Sequence, residues 1–242
     1  MSKKIRIVLC GAAGRMGRAV AAAAQNDPRF SILAGIDREP VAGAAFPILP
    51  LESLAQSLKQ ADVLVDFSVP QASLAALDAA ALSGCAAVVG TTGFGPGEKA
   101  RLDSLAARIP LLLSPNMSLG MNLLFHLAGR AAAVLASYDA AVAETHHSLK
   151  KDAPSGSALR IIDAVRSARK SDKPVPAASL RVGDVMGDHT LVLAGPGERL
   201  ELTHRAHSRE VFARGALEAA FWIKGRGPGL YSMLDVLGLP PA

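Results

Sequence analysis

The chain has 242 residues, half of them hydrophobic, with a formal net charge of +5 and two cysteines. That supplies apolar material for one large core or two moderate ones; acids and bases are interspersed with no long basic run, which argues against nucleic-acid binding. Two cysteines give no disulfide framework, and the N-terminal segment lacks the apolar length of a signal peptide or membrane span, so a cytoplasmic protein with no membrane partner is expected.

Ile5–Cys10 is a nearly continuous apolar run, the pattern of a strand buried on both faces. A turn follows, Gly11-Ala12-Ala13-Gly14-Arg15-Met16-Gly17, then a helix predicted over 18–26 and a strand over 31–36 that ends in Asp37-Arg38. Strand, glycine turn, helix, strand and terminal acid together make a dinucleotide-binding βαβ unit, although the spacing is G-x-x-G-x-x-G. Glycines let the backbone approach a pyrophosphate at the helix N-terminus, and Asp37 is placed to take ribose hydroxyls. Arg38 is either a solvated surface group or a partner for a 2′-phosphate, in which case both NADH and NADPH are accepted.

The α/β alternation continues with strands predicted over 62–67, 86–89 and 111–113 and a helix from Pro70 through Leu82. The turns after two of these strands, Gly90-Thr91-Thr92-Gly93 and Ser114-Pro115-Asn116-Met117, are small and polar and stand where an open parallel sheet binds ligands. A long amphipathic helix starts at Ser118 and the texture changes, which marks a second domain; His126 reads as a packing residue within that helix. Strands over 138–144, 179–185, 189–194 and 199–205 alternate like those of a more antiparallel sheet. The fold class is α/β, with an N-terminal Rossmann-like parallel sheet over 1–117 and a second α+β domain over 118–207 with an open mixed sheet. A helix over 209–224 carries Trp222, and the tail to Leu239 is apolar enough to need burial.

The stretch Glu144-Thr145-His146-His147-Ser148-Leu149-Lys150-Lys151-Asp152-Ala153-Pro154-Ser155-Gly156-Ser157-Ala158 concentrates the chemistry. It reads as a strand end, a polar loop and a helix start with Ser155 as N-cap ahead of Ala158, Leu159, Ile161, Ile162 and Val165. The first N–H groups of that helix, near Gly156 and Ser157, form an anion site, fed by Lys150 and Lys151. His146 and His147, adjacent on a strand, address opposite faces, so one acts as acid/base while the other binds a ligand or the fold. His204 and His207 also lie near basic loops or strand ends, which suits a substrate with more than one carboxylate. No cysteine pair or H-E-x-x-H helix is present, so no metal is expected, and without G-x-S-x-G no serine hydrolase either.

GAAGRMGR, GTTGF, SPNMSLGMN and above all ETHHSLKKDAPSGSA resemble the dihydrodipicolinate reductase family, and the similarity runs on through GDHT, ELTHRAHSREVFARGALEAAFW and GPGLYSMLDVLGL. The resemblance implies NADPH- or NADH-dependent reduction of 4-hydroxy-tetrahydrodipicolinate, a small dicarboxylate, to tetrahydrodipicolinate with loss of water. By motif it makes His146 the acid/base residue and Lys150 the proton donor, with His147, Gly156 and Ser157 holding substrate carboxylates. Gly11, Ala12, Ala13, Gly14, Arg15 and Met16 would cradle the pyrophosphate, Asp37 and Arg38 the adenosine end, and Gly90, Thr91, Thr92, Ser114, Pro115, Asn116 and Met117 the nicotinamide side. It further implies a homotetramer built through the second domain's sheet, and a C-terminal segment, 208–242, that packs back on the first domain. Ser157 stands where the family usually has threonine and Asp37 where others carry glutamate. The residues alone leave two other readings: another small NAD(P)-dependent oxidoreductase, such as an amino-acid dehydrogenase, or a redox sensor that binds dinucleotide without turnover.

Overall fold

The computed structural model describes residues 3–38 and 43–240. The chain forms two compact units, Met1–Met117 with Phe212–Val236, and Ser118–Val211 with Leu237–Ala242. The first is built on a seven-stranded sheet in which every pairing is parallel. β1 (Ile5–Cys10) is central; β2 (Phe30–Ile36) and β3 (Ile48–Leu49) lie on one side, and β4 (Val63–Asp66), β5 (Ala86–Val89), β6 (Pro110–Leu113) and β11 (Gly229–Tyr231) on the other. Chain order reverses between β1 and β4, so the crevice beyond their C-terminal ends is the ligand position of a doubly wound sheet. Ile7, Val8, Leu9 and Val63–Val65 are fully buried, because α1 (Arg15–Gln25), α3 (Pro70–Ser83), α4 (Pro96–Ala106) and α7 (Glu210–Ile223) supply the cover that parallel strands require.

Helix α1 starts at Arg15 rather than Arg18: Gly14 is already its N-cap, and Arg18 N–H donates to Gly14 O at 3.0 Å. The glycine turn is therefore shorter than the sequence indicates. Helix α4 has no counterpart among the predicted elements. Its buried side chains, Leu102, Leu105 and Ala106, all fall in its second half, so no apolar period marks its start; Pro96 at its first turn and Glu98 accepting Gly95 N–H do. The tail divides. Gly229–Tyr231 pairs in parallel with Pro110–Leu112 and holds residues 212–236 in the first unit, while 208–211 and the residues from Leu237 fall in the second.

The second unit carries a four-stranded sheet of order β10-β9-β7-β8, from β7 (Asp139–His146), β8 (Ala177–Arg181), β9 (Gly187–Gly195) and β10 (Glu198–Ala206). β7 and β8 are parallel, joined through α6 (Gly156–Arg169); the other pairs are antiparallel, so the sheet is open and mixed. α5 (Leu119–Val134) and α6 pack a core of Met121, Phe125, Ala128, Ile161, Val165, Leu191 and Leu193. β7 runs two residues past the predicted end at Glu144, because β8 pairs with it as far as His146↔Arg181. His126 is buried, in keeping with a packing role.

Candidate active site

In the first unit, the glycine turn and the ends of β2 and β4 enclose a cleft of about 830 Å³ lined by Gly11, Ala13, Gly14, Asp37, Arg38 and Ser68 among others. Gly11 has φ +72°, and a Cβ there would collide with Phe67 O; a Cβ on Gly17 would collide with Gly11 O. Backbone therefore lines the crevice where a side chain would fill it. Helix α1 has no side-chain cap, so its first N–H groups face whatever anion occupies the turn. This cradle fits the pyrophosphate of a dinucleotide. Arg15 and Gly14 are exposed at its rim, and Met16 is half-buried. Asp37 does more than end a strand: one carboxylate oxygen accepts Ala13 N–H at 2.8 Å, the other Arg38 N–H at 2.8 Å. The acid thus ties the second strand's end to the glycine turn, with Arg38 exposed beside it.

The remaining sequence-predicted cofactor residues divide into exposed and structural ones. Gly90, Thr92, Pro115 and Asn116 keep surface, whereas Ala12, Thr91, Ser114 and Met117 are buried. Thr91 Oγ1 donates to the buried carboxyl of Asp66 at 2.8 Å and accepts Ser68 N–H at 3.0 Å. Ser114 Oγ donates to Asn116 O at 2.7 Å. These hydroxyls shape their loops, which leaves backbone and neighbouring residues to face a ligand. Asp66, at the end of β4, was not among the candidates. Burial pushes its carboxyl up, against hydrogen bonds that include those of Ser68 and Thr91. It locks the turns after β4 and β5 together.

In the second unit the helix-facing side of β7 carries Val142, Glu144 and His146, all buried, at the period of two that a strand imposes. Glu144 is the hub. Its Oε1 accepts Ser155 N–H at 3.0 Å, Ser179 O–H at 2.7 Å and an Arg181 N–H at 2.9 Å. Its Oε2 lies 3.0 Å from His146 Nδ1 and 3.8 Å from His189 Nε2. Burial pushes the carboxyl up, but the hydrogen bonds from Ser155, Arg181 and Ser179 outweigh it and hold the group at about 2. Burial, against the attraction of Glu144, brings His146 below the usual imidazole value. His189 is pushed down to about 4, by burial first and then by the neighbouring His146, whose ring centroid is 5.0 Å away. Both imidazoles are neutral at pH 7.

Ser155 is the N-cap of α6, its hydroxyl accepting Ala158 N–H at 3.2 Å, and Leu159 N–H makes the first intrahelical bond to Ser155 O. The first-turn residues ahead of these bonds are Gly156, which is exposed, and Ser157. Lys150, in the loop between His146 and α6, places Nζ 2.8 Å from Asp152 Oδ1, and that contact holds the Asp152 carboxyl below its ordinary value. His147 follows the strand end, half-buried, its carbonyl accepting Lys150 N–H at 3.1 Å. One strand–loop–helix unit therefore carries His146, His147, Lys150, Gly156 and Ser157. Lys151 is exposed, and His204 turns instead to Ser118, at 3.1 Å. The residues that the motif reading missed are Glu144, His189 and Arg181, whose signal is only the placement of polar side chains on the inward face of strands.

Among the described residues, Glu144, His146 and His189 bring one ligand atom each within 4.8 Å of one another, the spacing of a metal site. The surrounding charge is cationic as well: Arg181 is bonded to the same carboxylate, and the charges of Lys150 and Arg181 both disfavour a cation at His146.

Comparison with known proteins accords with this architecture. Residues 5–117 match the family model "dihydrodipicolinate reductase, N-terminus", and 120–237 match "dihydrodipicolinate reductase, C-terminus". A curated 4-hydroxy-tetrahydrodipicolinate reductase of Thiobacillus denitrificans is 43% identical over 264 aligned positions, covering 97% of this chain and 99% of that protein. One from Anaeromyxobacter dehalogenans is 40% identical, covering 97% and 98%. Among solved structures, a dipicolinate-bound dihydrodipicolinate reductase from Paenisporosarcina sp. TG-14 shares the fold with TM-score 0.84 at 24% identity, covering 96% of this chain and 99% of that one.

Proposed function

The chain belongs to the dihydrodipicolinate reductase family, and on that premise we propose that it reduces 4-hydroxy-tetrahydrodipicolinate to tetrahydrodipicolinate, with loss of water, in lysine and diaminopimelate biosynthesis. The observation that carries this reading is the unit from β7 to α6, which gathers a buried imidazole, a lysine and a helix N-terminus around one short loop. A reduced nicotinamide dinucleotide held at the cleft of the first unit supplies hydride. Gly11, Ala12, Ala13, Gly14, Arg15 and Met16 hold its pyrophosphate, chiefly through backbone. Asp37 meets the adenosine ribose and Arg38 the 2′-phosphate of NADPH, NADH being accepted as well. Gly90, Thr91, Thr92 and Ser114 to Met117 border the nicotinamide side.

In the second unit, His147 and the first turn of α6 at Gly156 and Ser157 bind the substrate carboxylates. His146 exchanges a proton as acid/base residue, and Lys150 donates one to the centre that becomes carbanionic as hydride arrives. Cationic and dipolar groups aimed at that developing charge stabilise the transition state more than the ground state. The working enzyme is a cytoplasmic homotetramer. The test is loss of NADPH absorbance with freshly prepared 4-hydroxy-tetrahydrodipicolinate. Lys150→Ala is expected to lose about 100-fold or more in turnover while binding NADPH normally. Absence of turnover with this substrate, together with turnover of an amino acid, would return the dehydrogenase reading.

A further inference from the structure

Glu144 poses a problem that the motif reading leaves open, since its side chain is 0% exposed and a carboxylate removed from water must be compensated at both oxygens. Oε1 is compensated by Ser155 N–H, the Ser179 hydroxyl and Arg181. Oε2 and His146 Nδ1 are both buried and stand 3.0 Å apart; neither has a hydrogen-bond partner among the described residues, so what joins them is an electrostatic contact outside hydrogen-bond alignment. An ionised carboxylate only accepts, and at this distance it repels the lone pair of an unprotonated Nδ1, so the contact favours the proton on Nδ1. His189 does not compete: its Nε2 is 3.8 Å from Oε2 and 3.1 Å from Ser155 Oγ.

We propose that Glu144 is the positioning residue of the site: it fixes His146 as the Nδ1–H tautomer, so that Nε2 is the nitrogen that exchanges protons, and through Ser155 N–H it sets the start of α6 in the same stroke. This rests on the acid/base assignment of His146 given above. Two further features agree with it. Nε2 points to Gly187, where a Cβ would stand 3.0 Å from it, so glycine leaves that edge of the ring open. Oε1 is fixed from β8 by Ser179 and Arg181 and from α6 by Ser155, so the carboxylate cannot rotate to follow the ring; the ring must follow it.

The charged and titratable groups facing His146 are Glu144 on its own strand, Lys150 and Asp152 in the loop, Arg181 on β8 and His189 on β9. Glu144 and Asp152 favour the imidazolium; Lys150 and Arg181 oppose it. Removing the Glu144 charge therefore moves the His146 titration to lower pH, whether the reaction uses His146 as acid or as base.

The experiment is nitrogen NMR of the intact chain with labelled histidine, the His146 signals being those lost in His146→Asn. The expected result is a protonated Nδ1 and an unprotonated Nε2 in the wild-type protein near neutral pH; a dominant Nε2–H tautomer overturns the proposal. This readout needs neither substrate nor turnover, so failure of the proposed activity and failure of the tautomer assignment are separate results. In Glu144→Gln, the limb of the pH–rate profile belonging to His146 should move down by about one pH unit or more, with NADPH affinity unchanged. A limb that stays in place while only the melting temperature falls would reduce Glu144 to a structural role. His189→Asn should leave the His146 tautomer as it is; a flip there in place of Glu144→Gln would also overturn the assignment.

Discussion

Acid should weaken the second unit well before its carboxylates are protonated, and His189 is the main reason. Burial holds its folded value at about 4 against an ordinary 6.5. A depressed folded value means that the unfolded chain binds the proton first, so the stabilisation is complete above pH 6.5 and is lost as pH falls toward 4. With 1.36 kcal/mol per pH unit, the two values give a loss of about 2 kcal/mol between pH 8 and pH 5. Glu144 works with the same sign but lower down, between 4.5 and about 2, and by pH 5 it has cost only about 0.2 kcal/mol. The histidine therefore dominates the upper window. The assay is urea denaturation at pH 8 and pH 5, followed by a signal from the second unit, for the wild type and His189→Asn. The variant should be less stable at pH 8, having lost the contact to Ser155, yet should lose about 2 kcal/mol less on acidification. Equal losses in the two proteins would refute the reasoning.

Three further outcomes follow from particular contacts. Arg38→Ala should weaken NADPH binding more than NADH binding, measured by nucleotide titration; equal losses would remove the 2′-phosphate role. Gly17→Ala should destabilise the first unit by about 2 kcal/mol or more, because its Cβ would collide with the backbone at Gly11 and Ala12, and nucleotide affinity should fall with it. Gly187→Ala places a methyl 3.0 Å from His146 Nε2 and should lower kcat roughly tenfold with little change in NADPH affinity; an unchanged kcat would mean that this edge of the ring is not used.

The first unit was legible because its physics is local. Ile5–Cys10 must be buried on both faces, Gly17 stands where the helix crowds the backbone of the turn, and Gly11 where the turn meets the backbone at Phe67. What stayed hidden there depends on partners far along the chain. Gly229–Tyr231 is too short to read as a strand and becomes one only against β6. Asp66 looks like an ordinary strand-end acid until Thr91 and Ser68 close on it. In the second unit the motif exposed His146, Lys150 and Ser155, but not Glu144. An acid among alanines on a strand reads as a solvent-facing residue. Only the pairing of β7 with β8 and β9 reveals that Glu144 faces inward, meeting Ser179 in one direction and His189 in the other.

That pairing also explains why both helices of the second unit begin at the same level. Taken across β7, β9 and β10, the helix-facing rows run Ala140–Leu193–Leu200, then Val142–Leu191–Leu202, then Glu144–His189–His204. The first two rows are apolar, and all of their residues but the exposed Leu200 belong to the core or pack against it. The third ends it, and each of its imidazoles meets the N-cap serine of one helix: His189 Nε2 lies 3.1 Å from Ser155 Oγ, and His204 Nε2 3.1 Å from Ser118 Oγ. Each of those hydroxyls also accepts an N–H from its own helix, Ala158 or Met121. Burial lowers both histidines and favours the neutral imidazole, whose Nε2 bonds the serine as donor or acceptor according to its tautomer. The positive ends of α5 and α6 are thus fixed by strand register rather than by loop conformation.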